Sequence, residues 1–412
     1  MKKILYLCLV AILAFSCSNK EKVNIRISND SSFDRENENV EISVKEVRDK
    51  LQLSDKESFI LVDNNGKQCI YQVTYDGKLI FPVSVKAGES LSYNITKGIP
   101  EHFKSKVYGR QFSEREDDIA WENDKIAFRT YGPALQATGE KAYGYDIWVK
   151  SVPDLVIEDR YANELNPEIK AKIKILKKKN PAAADSLYRS VSYHVDHGNG
   201  LDCYKVGPTL GAGTAALMSD NTIIYPYCYK TYEILDKGPL RFTVKLVYEP
   251  IIAFGESGIV ETRIISLDAG SQLNKTIINY TGLTKEIPLA AGIVLHEAKG
   301  IADYTINIKD GYISYVDPTD NPKNNNGKIY VGVVIPGGIS RVETLFFDKK
   351  EAIQRGADGH LLAINNYVPG SNYTYYWGAG WSKYGYNSKL DWDAYLARFS
   401  EFCNHPLKIE IK

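Results

Sequence analysis

The stretch LRFTVKLVYEP, Leu240 to Pro250, decides the fold class. Phe242, Val244, Leu246 and Tyr248 take alternate positions, with Arg241, Thr243 and Lys245 between them. Apolar residues repeating at every second position share one face of an extended strand; a helix would scatter them around its axis. The same alternation runs downstream through VETRIISL (260–267), LNKTIINYTG (273–282), LAAGIVLHE (289–297), KIYVGVVIP (328–336), RVETLFF (341–347) and YTYYWGAGW (373–381). Upstream it runs through KIAFRTYG (125–132), YDIWVKSV (145–152) and IIYPYCYKTYEIL (223–235). Strands this numerous, without alternating helices, predict an all-β protein of packed antiparallel sheets.

Residues 22 to about 105 repeat the pattern on a smaller scale, with VNIRIS, VEISV, FILVD and LIFPVSV separated by NDSS, DNNG, YDGK and KAGES. The separators carry turn chemistry. This divides the chain into an N-terminal β-sandwich-like segment, 18–107, and a main β-sandwich, 108–412. One helical insertion interrupts the strands. Asn166-Pro167-Glu168 places a capping residue, a proline and an acid in the order that starts a helix, and Asn180-Pro181 repeats the start. A helical hairpin is expected over 166–191, with its lysine run, Lys170 to Lys179, as a solvated face. A short helix is expected over Asp391–Cys403, before the closing strand LKIEIK.

Lys2 and Lys3 precede an apolar run, Ile4 to Phe15, that ends at Ser16-Cys17. The run is too short for a membrane span and has the charge order of a secretory signal. A cysteine directly after it predicts a lipoprotein signal over 1–17, with lipid on Cys17 tethering the chain to a membrane. A plain secretory signal is the alternative. Ser18, rather than Asp, favours the outer membrane, with the body periplasmic or surface-facing. The 51 basic residues balance the 51 acidic ones, which argues against a nucleic-acid partner. Cys69, Cys203, Cys228 and Cys403 form no CxxC pair, so buried thiols or one disulfide are the open readings. Tyrosine is abundant, 29 residues against 13 phenylalanines, which suits either strand packing or the stacking and hydrogen bonding that sugars require.

Four stretches carry candidate chemistry. YHVDHGNGLDCYKVG, Tyr193 to Gly207, holds His194 and His197, a third of the six histidines, with Asp202, Tyr204 and Lys205. Gly198 and Gly200 permit positive φ and close approach to a ligand. The loop reads as acid–base chemistry, as a metal pair on His194 and His197, or as a polar loop with a structural histidine. His197, against the glycines, is the sharper candidate base, with His194 in support. WENDKIAFRTYGPAL, Trp121 to Leu135, puts Arg129 and Tyr131 on one face of a strand, fit to grip a carboxylate, with Glu122 and Asn123 just before it. GIVLHEAKG ends a strand on His296 and Glu297. YTYYWGAGWSKYG offers Trp377 and Trp381 as a sugar-stacking wall or as core.

The lipid-type signal, WENDKIAFRTYGPAL, DHGNGLDCYKVG followed by GAG, and the later GAGW together resemble a family of lipoproteins from polysaccharide-degrading bacteria. That family was long catalogued as a domain of unknown function and includes an ulvan oligosaccharide dehydratase. The resemblance covers roughly 108–412 and implies a mutarotase-like supersandwich. It also implies a uronic-acid-containing oligosaccharide as partner, and loss of water at the non-reducing-end uronate to leave a 4,5-double bond. Such a reaction abstracts a proton α to a carboxylate, so it needs a carboxylate-binding cation, a base and an acid. Arg129 or Lys205 fits the first role, His197 or His296 the second, and Tyr131 or the other histidine the third. Tyr204, Glu122, Asn123, His194, Asp202, Trp377 and Trp381 complete the expected substrate contacts. No cofactor is expected, with the His194/His197 metal as the alternative. A polysaccharide lyase or a glycoside hydrolase on a similar glycan, the latter using Glu122 or Glu297, and a non-catalytic glycan-binding lipoprotein are the competing functions.

Overall fold

The computed structural model describes residues 22–412; the signal expected over 1–17, with Cys17, lies outside them. Every strand pair between 22 and 412 is antiparallel apart from isolated bridges. Phe242, Val244 and Leu246 are fully buried on the strand Arg241–Tyr248, as the alternation requires. That strand is an inner member of a nine-stranded sheet running from Tyr229–Lys237 to Tyr304–Asn307. A five-stranded sheet holds Ala212–Ser219, Ile287–Leu295 and Gly359–Tyr367 at its centre. A second five-stranded sheet, from Val107–Phe112 to Gly200–Asp202, packs its inner face on the same core. The large sandwich is therefore present.

Aromatic rings join these sheets. Tyr145 stacks on Trp377 with centroids 4.0 Å apart, and Trp121 meets Trp377 edge-on at 6.3 Å. Rings at such separations add to the roughly 1.5–3 kcal/mol that burying each large side chain contributes. Trp377 is fully buried and donates to Thr276 Oγ1; Trp381 donates to the Asn326 carbonyl. Neither indole is a stacking wall open to a sugar: both faces are spent on the core.

The N-terminal sandwich packs the strands Lys22–Ser28, Ser90–Lys97 and Phe59–Val62 against Arg35–Ser43, Lys78–Val85 and Gln72–Val73. The closing strand, Lys408–Ile411, pairs with Lys22–Ser28, setting Ile25 opposite Ile411 and Ile27 opposite Ile409. A boundary at 107 thus misses one element, because the end of the chain returns to complete the first sheet.

Two further differences have local causes. IIYPYCYKTYEIL is not one strand: Thr222–Ile224 and Tyr229–Lys237 belong to different sheets. Pro226, between them, has no N–H for a ladder bond. The helical hairpin forms over Pro167–Lys179 and Pro181–Arg189, with Asn166 accepting from the Glu168 and Ile169 amides and Asn180 from Ala183. An additional helix, Ile157–Glu164, precedes it. Its cap residue Val156 has no capping side chain; Glu122, from a distant strand, accepts the amides of Val156 and Ile157 instead. The C-terminal helix runs Lys389–Asn404. No helix of the described residues is long and apolar enough to cross a membrane. Cys69, Cys203, Cys228 and Cys403 are free thiols.

Candidate functional site

Arg129 and Tyr131 leave the strand Ile126–Thr130 toward Asp146 on the next strand, whose register sets Arg129 opposite it. Arg129 donates Nε to Asp146 at 2.8 Å and Nη2 to Asp202 at 2.8 Å, while Nη1 lies 3.7 Å from Asp118. The Tyr131 hydroxyl and the Trp148 indole N–H also reach Asp146, each at 3.2 Å. All of these groups are buried. One guanidinium faces three carboxylates, so burial dominates their titration. Loss of hydration, reinforced by the charge of Asp202 and opposed by Arg129, pushes Asp146 up to about 7. Loss of hydration, opposed by Arg129 and Arg115, pushes Asp118 up to about 6. Arg129 is thus already bound to protein carboxylates, which removes it as the grip for a substrate carboxylate.

Glu122 and Asn123 are structural as well. The Glu122 carboxylate accepts from Lys150 Nζ at 2.6 Å and from the two helix-start amides. Asn123 donates to the Asp268 and Ser271 carbonyls and accepts from Lys125 and Ile126. With its oxygens committed and no exposure, Glu122 is poorly placed to be a glycosidase acid.

The YHVDHGNGLDCYKVG stretch divides. His197 is exposed and its Nε2 meets the Ser192 carbonyl at 3.0 Å, closing a turn. His194 turns Nδ1 to the Asp202 carbonyl at 3.1 Å, with the Asp202 carboxylate 3.7 Å away. The two rings therefore serve different partners and do not converge. Among the described residues, no group of three or more His, Cys, Asp and Glu is placed to hold a metal ion. Beyond Asp202 the chain runs inward, and Tyr204 is buried while Lys205 is exposed.

Tyr204 leads to the most reactive geometry. Its ring meets the His296 ring edge-on with centroids 5.8 Å apart. His296 Nδ1 lies 2.6 Å from the Asp317 carboxylate, and its backbone amide donates to the Tyr315 hydroxyl. Asp317 is fully buried and its other oxygen accepts the Thr319 amide at 2.8 Å. With Nδ1–H held by Asp317, the other ring nitrogen of His296 carries the lone pair. That nitrogen, Nε2, has no hydrogen-bond partner; nor do the Tyr204 hydroxyl and Thr319 Oγ1. Unpartnered polar atoms gathered in one neighbourhood invite a ligand or ordered water. Burial holds the Tyr204 phenol far above its usual range, so it stays protonated. The Asp320 amide donates to the Cys203 carbonyl, tying the 317–320 loop to the tyrosine segment. Asp320 is raised by its own burial and by the charges of Asp202 and Asp317, and lowered by that of His194. His194, Tyr204 and His296 therefore border one acidic loop.

Asp317 and Thr319 were not legible as functional residues in the sequence; the only local signal is the turn chemistry of DPTD, 317–320. Glu297 approaches the Tyr315 hydroxyl at 3.5 Å and takes no closer part.

A protein of Formosa agariphila called Uncharacterized protein P7 is 27% identical to this chain, over 99% of the chain and 98% of the relative. Two solved structures from Enterococcus faecalis are weakly similar to the chain. One is a protein of glycosyl hydrolase family 38 (TM-score 0.49, 8% identity, 95% of this chain, 48% of that chain). The other is an alpha-mannosidase (TM-score 0.44, 9% identity, 95% of this chain, 46% of that chain). The chain spans about half the length of those two structures. A family model matches residues 27–409, nearly the whole chain, and so the protein belongs to the family described as Domain of unknown function (DUF4861).

Proposed function

We propose that the protein is an oligosaccharide dehydratase that removes water from a non-reducing-end uronate, with His296 as base and Tyr204 as acid. The observation that carries this reading is the His296–Asp317 pair at 2.6 Å, with Nε2 unpartnered and the Tyr204 ring, its hydroxyl also unpartnered, 5.8 Å away between centroids. The motif resemblance to an oligosaccharide dehydratase supports the same reaction. His296 Nε2 takes the proton from C5, α to the carboxylate. The C5–H electron pair becomes the C4–C5 π bond as the C4–O bond breaks. The Tyr204 phenol gives its proton to the departing oxygen, which leaves as water, and the imidazolium returns a proton to the phenolate. Asp317 fixes the ring's tautomer and stabilises the imidazolium as it forms.

Incubating the protein with uronic-acid-ended oligosaccharides tests the reading. Products lighter by one water, with the ultraviolet absorbance of an unsaturated uronate, are expected. Release of saturated reducing sugar would replace it with hydrolysis, and binding without product with a glycan-binding role. We also propose that lipid on Cys17 anchors the enzyme in the outer membrane. Cys17→Ala is expected to leave the membrane fraction, and continued retention there would end that proposal.

A further inference from the structure

The helix Pro167–Lys179 carries Lys170, Lys172, Lys174, Lys177, Lys178 and Lys179, and all six are exposed. Lys45, Lys104 and Lys230, also exposed, each meet a carboxylate. Among the described residues none of the six does. Across the hairpin, Pro167 to Arg189, these lysines and Arg189 are set against Glu168 and Asp185 alone, a net charge of +5 on a chain whose total is zero. The excess is therefore local, and the rest of the chain carries the opposite sign.

The helix has an apolar residue where burial gives no reason for one. At 3.6 residues per turn, Ile169, Ile173 and Leu176 share the inner face, with Ile173 buried and the other two half-buried. Ala171 and Ile175 run along the middle of the outer face, with Lys170, Lys174 and Lys178 on one side and Lys172 and Lys179 on the other. Ile175 is 57% exposed and joins none of the hydrophobic clusters of the described residues. Lysines flanking an apolar centre match a membrane interface. The apolar side chain enters the boundary between headgroups and acyl chains, and the long lysine stems carry their charge to the phosphates. A polyanionic glycan would meet the lysines but offers Ile175 no apolar phase.

The anchor proposed on Cys17 brings a membrane within reach. Cys17 precedes Lys22 by five residues, at most about 18 Å of extended chain. Lys22 lies opposite Thr96, near the end from which the strand Ser90–Lys97 enters the linker to Val107–Phe112. Lys104 of that linker lies 3.4 Å from Asp154, shortly before the helix Ile157–Glu164 that leads into the hairpin. A tether of that length fixes how far the body stands from the bilayer and leaves its rotation free; a local patch of charge selects one rotation.

We propose that the helix Pro167–Lys179 is a second membrane contact, lying on an anionic phospholipid surface with Ile175 at the acyl boundary and the six lysines among the phosphates. The proposal rests on the Cys17 anchor only for what brings a membrane near; the preference for an anionic surface belongs to the helix.

The test uses Cys17→Ala protein, which carries no lipid, and measures co-sedimentation with vesicles. One set is phosphatidylethanolamine containing phosphatidylglycerol; the other is phosphatidylcholine alone. Partition onto the anionic set is expected to be about tenfold stronger or more, and to lose that advantage in about 1 M salt, where charges are screened beyond about 3 Å. Lys174→Glu with Lys178→Glu is expected to lower it more than about tenfold, since each lysine near an anionic leaflet contributes about fivefold. Ile175→Ser is expected to lower it about threefold. Ile175→Trp is expected to raise it and to move that indole's emission to the blue on vesicles. All of these positions are exposed, so urea midpoints are expected to stay near wild type. Equal partition onto the two sets, or a partition indifferent to the lysine pair or to Ile175→Ser, overturns the contact. Capture of a sulfated polysaccharide with vesicles left unbound also overturns it and assigns the patch to a glycan. The anchor is read separately, in cell membranes washed at about 1 M salt to release the helix. Wild type lost in that wash removes the anchor and leaves the vesicle result standing. Wild type retained there, with vesicles unbound by Cys17→Ala protein, does the reverse.

Discussion

Arg129 and His296 each hold aspartates where strands end, yet the two assemblies are finished differently. Around Arg129 the Asp146 carboxylate collects the guanidinium, a phenol, an indole N–H and the Ile147 amide, Asp202 takes Nη2, and Nη1 faces Asp118 at 3.7 Å without a hydrogen bond. Around His296 one nitrogen is bound by Asp317 and the other by nothing. The Arg129 network is buried and its charge is met by carboxylates, so it is costly to disturb even though Arg129 Nη1 and Asp118 Oδ1 lack hydrogen bonds. The His296 pair is incomplete in a usable way: the ring is partly exposed and keeps Nε2 free to take a proton. Both regions hold unpartnered atoms; what separates them is that the Arg129 charge is spent on protein carboxylates, while His296 keeps a nitrogen able to take a proton.

The largest expected effect tests the incomplete side. His296→Ala is expected to lower turnover of a uronate-ended oligosaccharide by about 10²–10⁴-fold while unfolding at a near-wild-type denaturant midpoint. A loss of turnover that merely tracks a loss of folded protein would erase the distinction between the regions.

Arg129→Met tests the charge-paired side. It strands three buried carboxylates, and a stability loss of about 3–5 kcal/mol is expected from urea unfolding. Unchanged stability would show that the carboxylates are neutral without it.

Asp118 sharpens the comparison through pH. Its folded value, near 6, lies above the ordinary carboxylate value, so the native state binds the extra proton between about pH 4 and 6. Stability from this group is present below that window and is lost as pH rises through it. Wild type minus Asp118→Asn should therefore change by roughly 2–3 kcal/mol across the window, the wild type becoming relatively weaker at higher pH. A flat difference in paired urea titrations would mean that Arg129 keeps Asp118 ionised throughout.

The smallest effect concerns His197. Exposed and closing a turn on the Ser192 carbonyl, it is expected to tolerate alanine within about 0.5 kcal/mol, with turnover near wild type. A large loss of rate with the fold intact would return the base to the loop on which the sequence first placed it.

What local chemistry specifies was readable from the chain. The alternation in LRFTVKLVYEP put Phe242, Val244 and Leu246 in the core, and Asn166-Pro167 and Asn180-Pro181 start helices with caps taken from their own side chains. The helix Ile157–Glu164 was not readable, because its amides are capped by Glu122 from a strand about thirty residues earlier. Trp377 and Arg129 were named for their chemistry, but whether an indole faces a sugar or a core is fixed by the sheet packed against it. So is the question of whether a guanidinium meets a substrate or three aspartates.

The candidate site itself lies at the far end of that scale. His296 follows a strand of one sheet and Asp317 ends a strand of another, so no spacing along the chain relates them. By itself the sequence determined an all-β body, its inserted hairpin and a short roster of residues able to do acid–base work. Only the tertiary structure decided which of them are satisfied and which are left open. Hydrogen bonds between side chains are settled by the packing of distant strands, while strand alternation and helix caps are settled within a few residues.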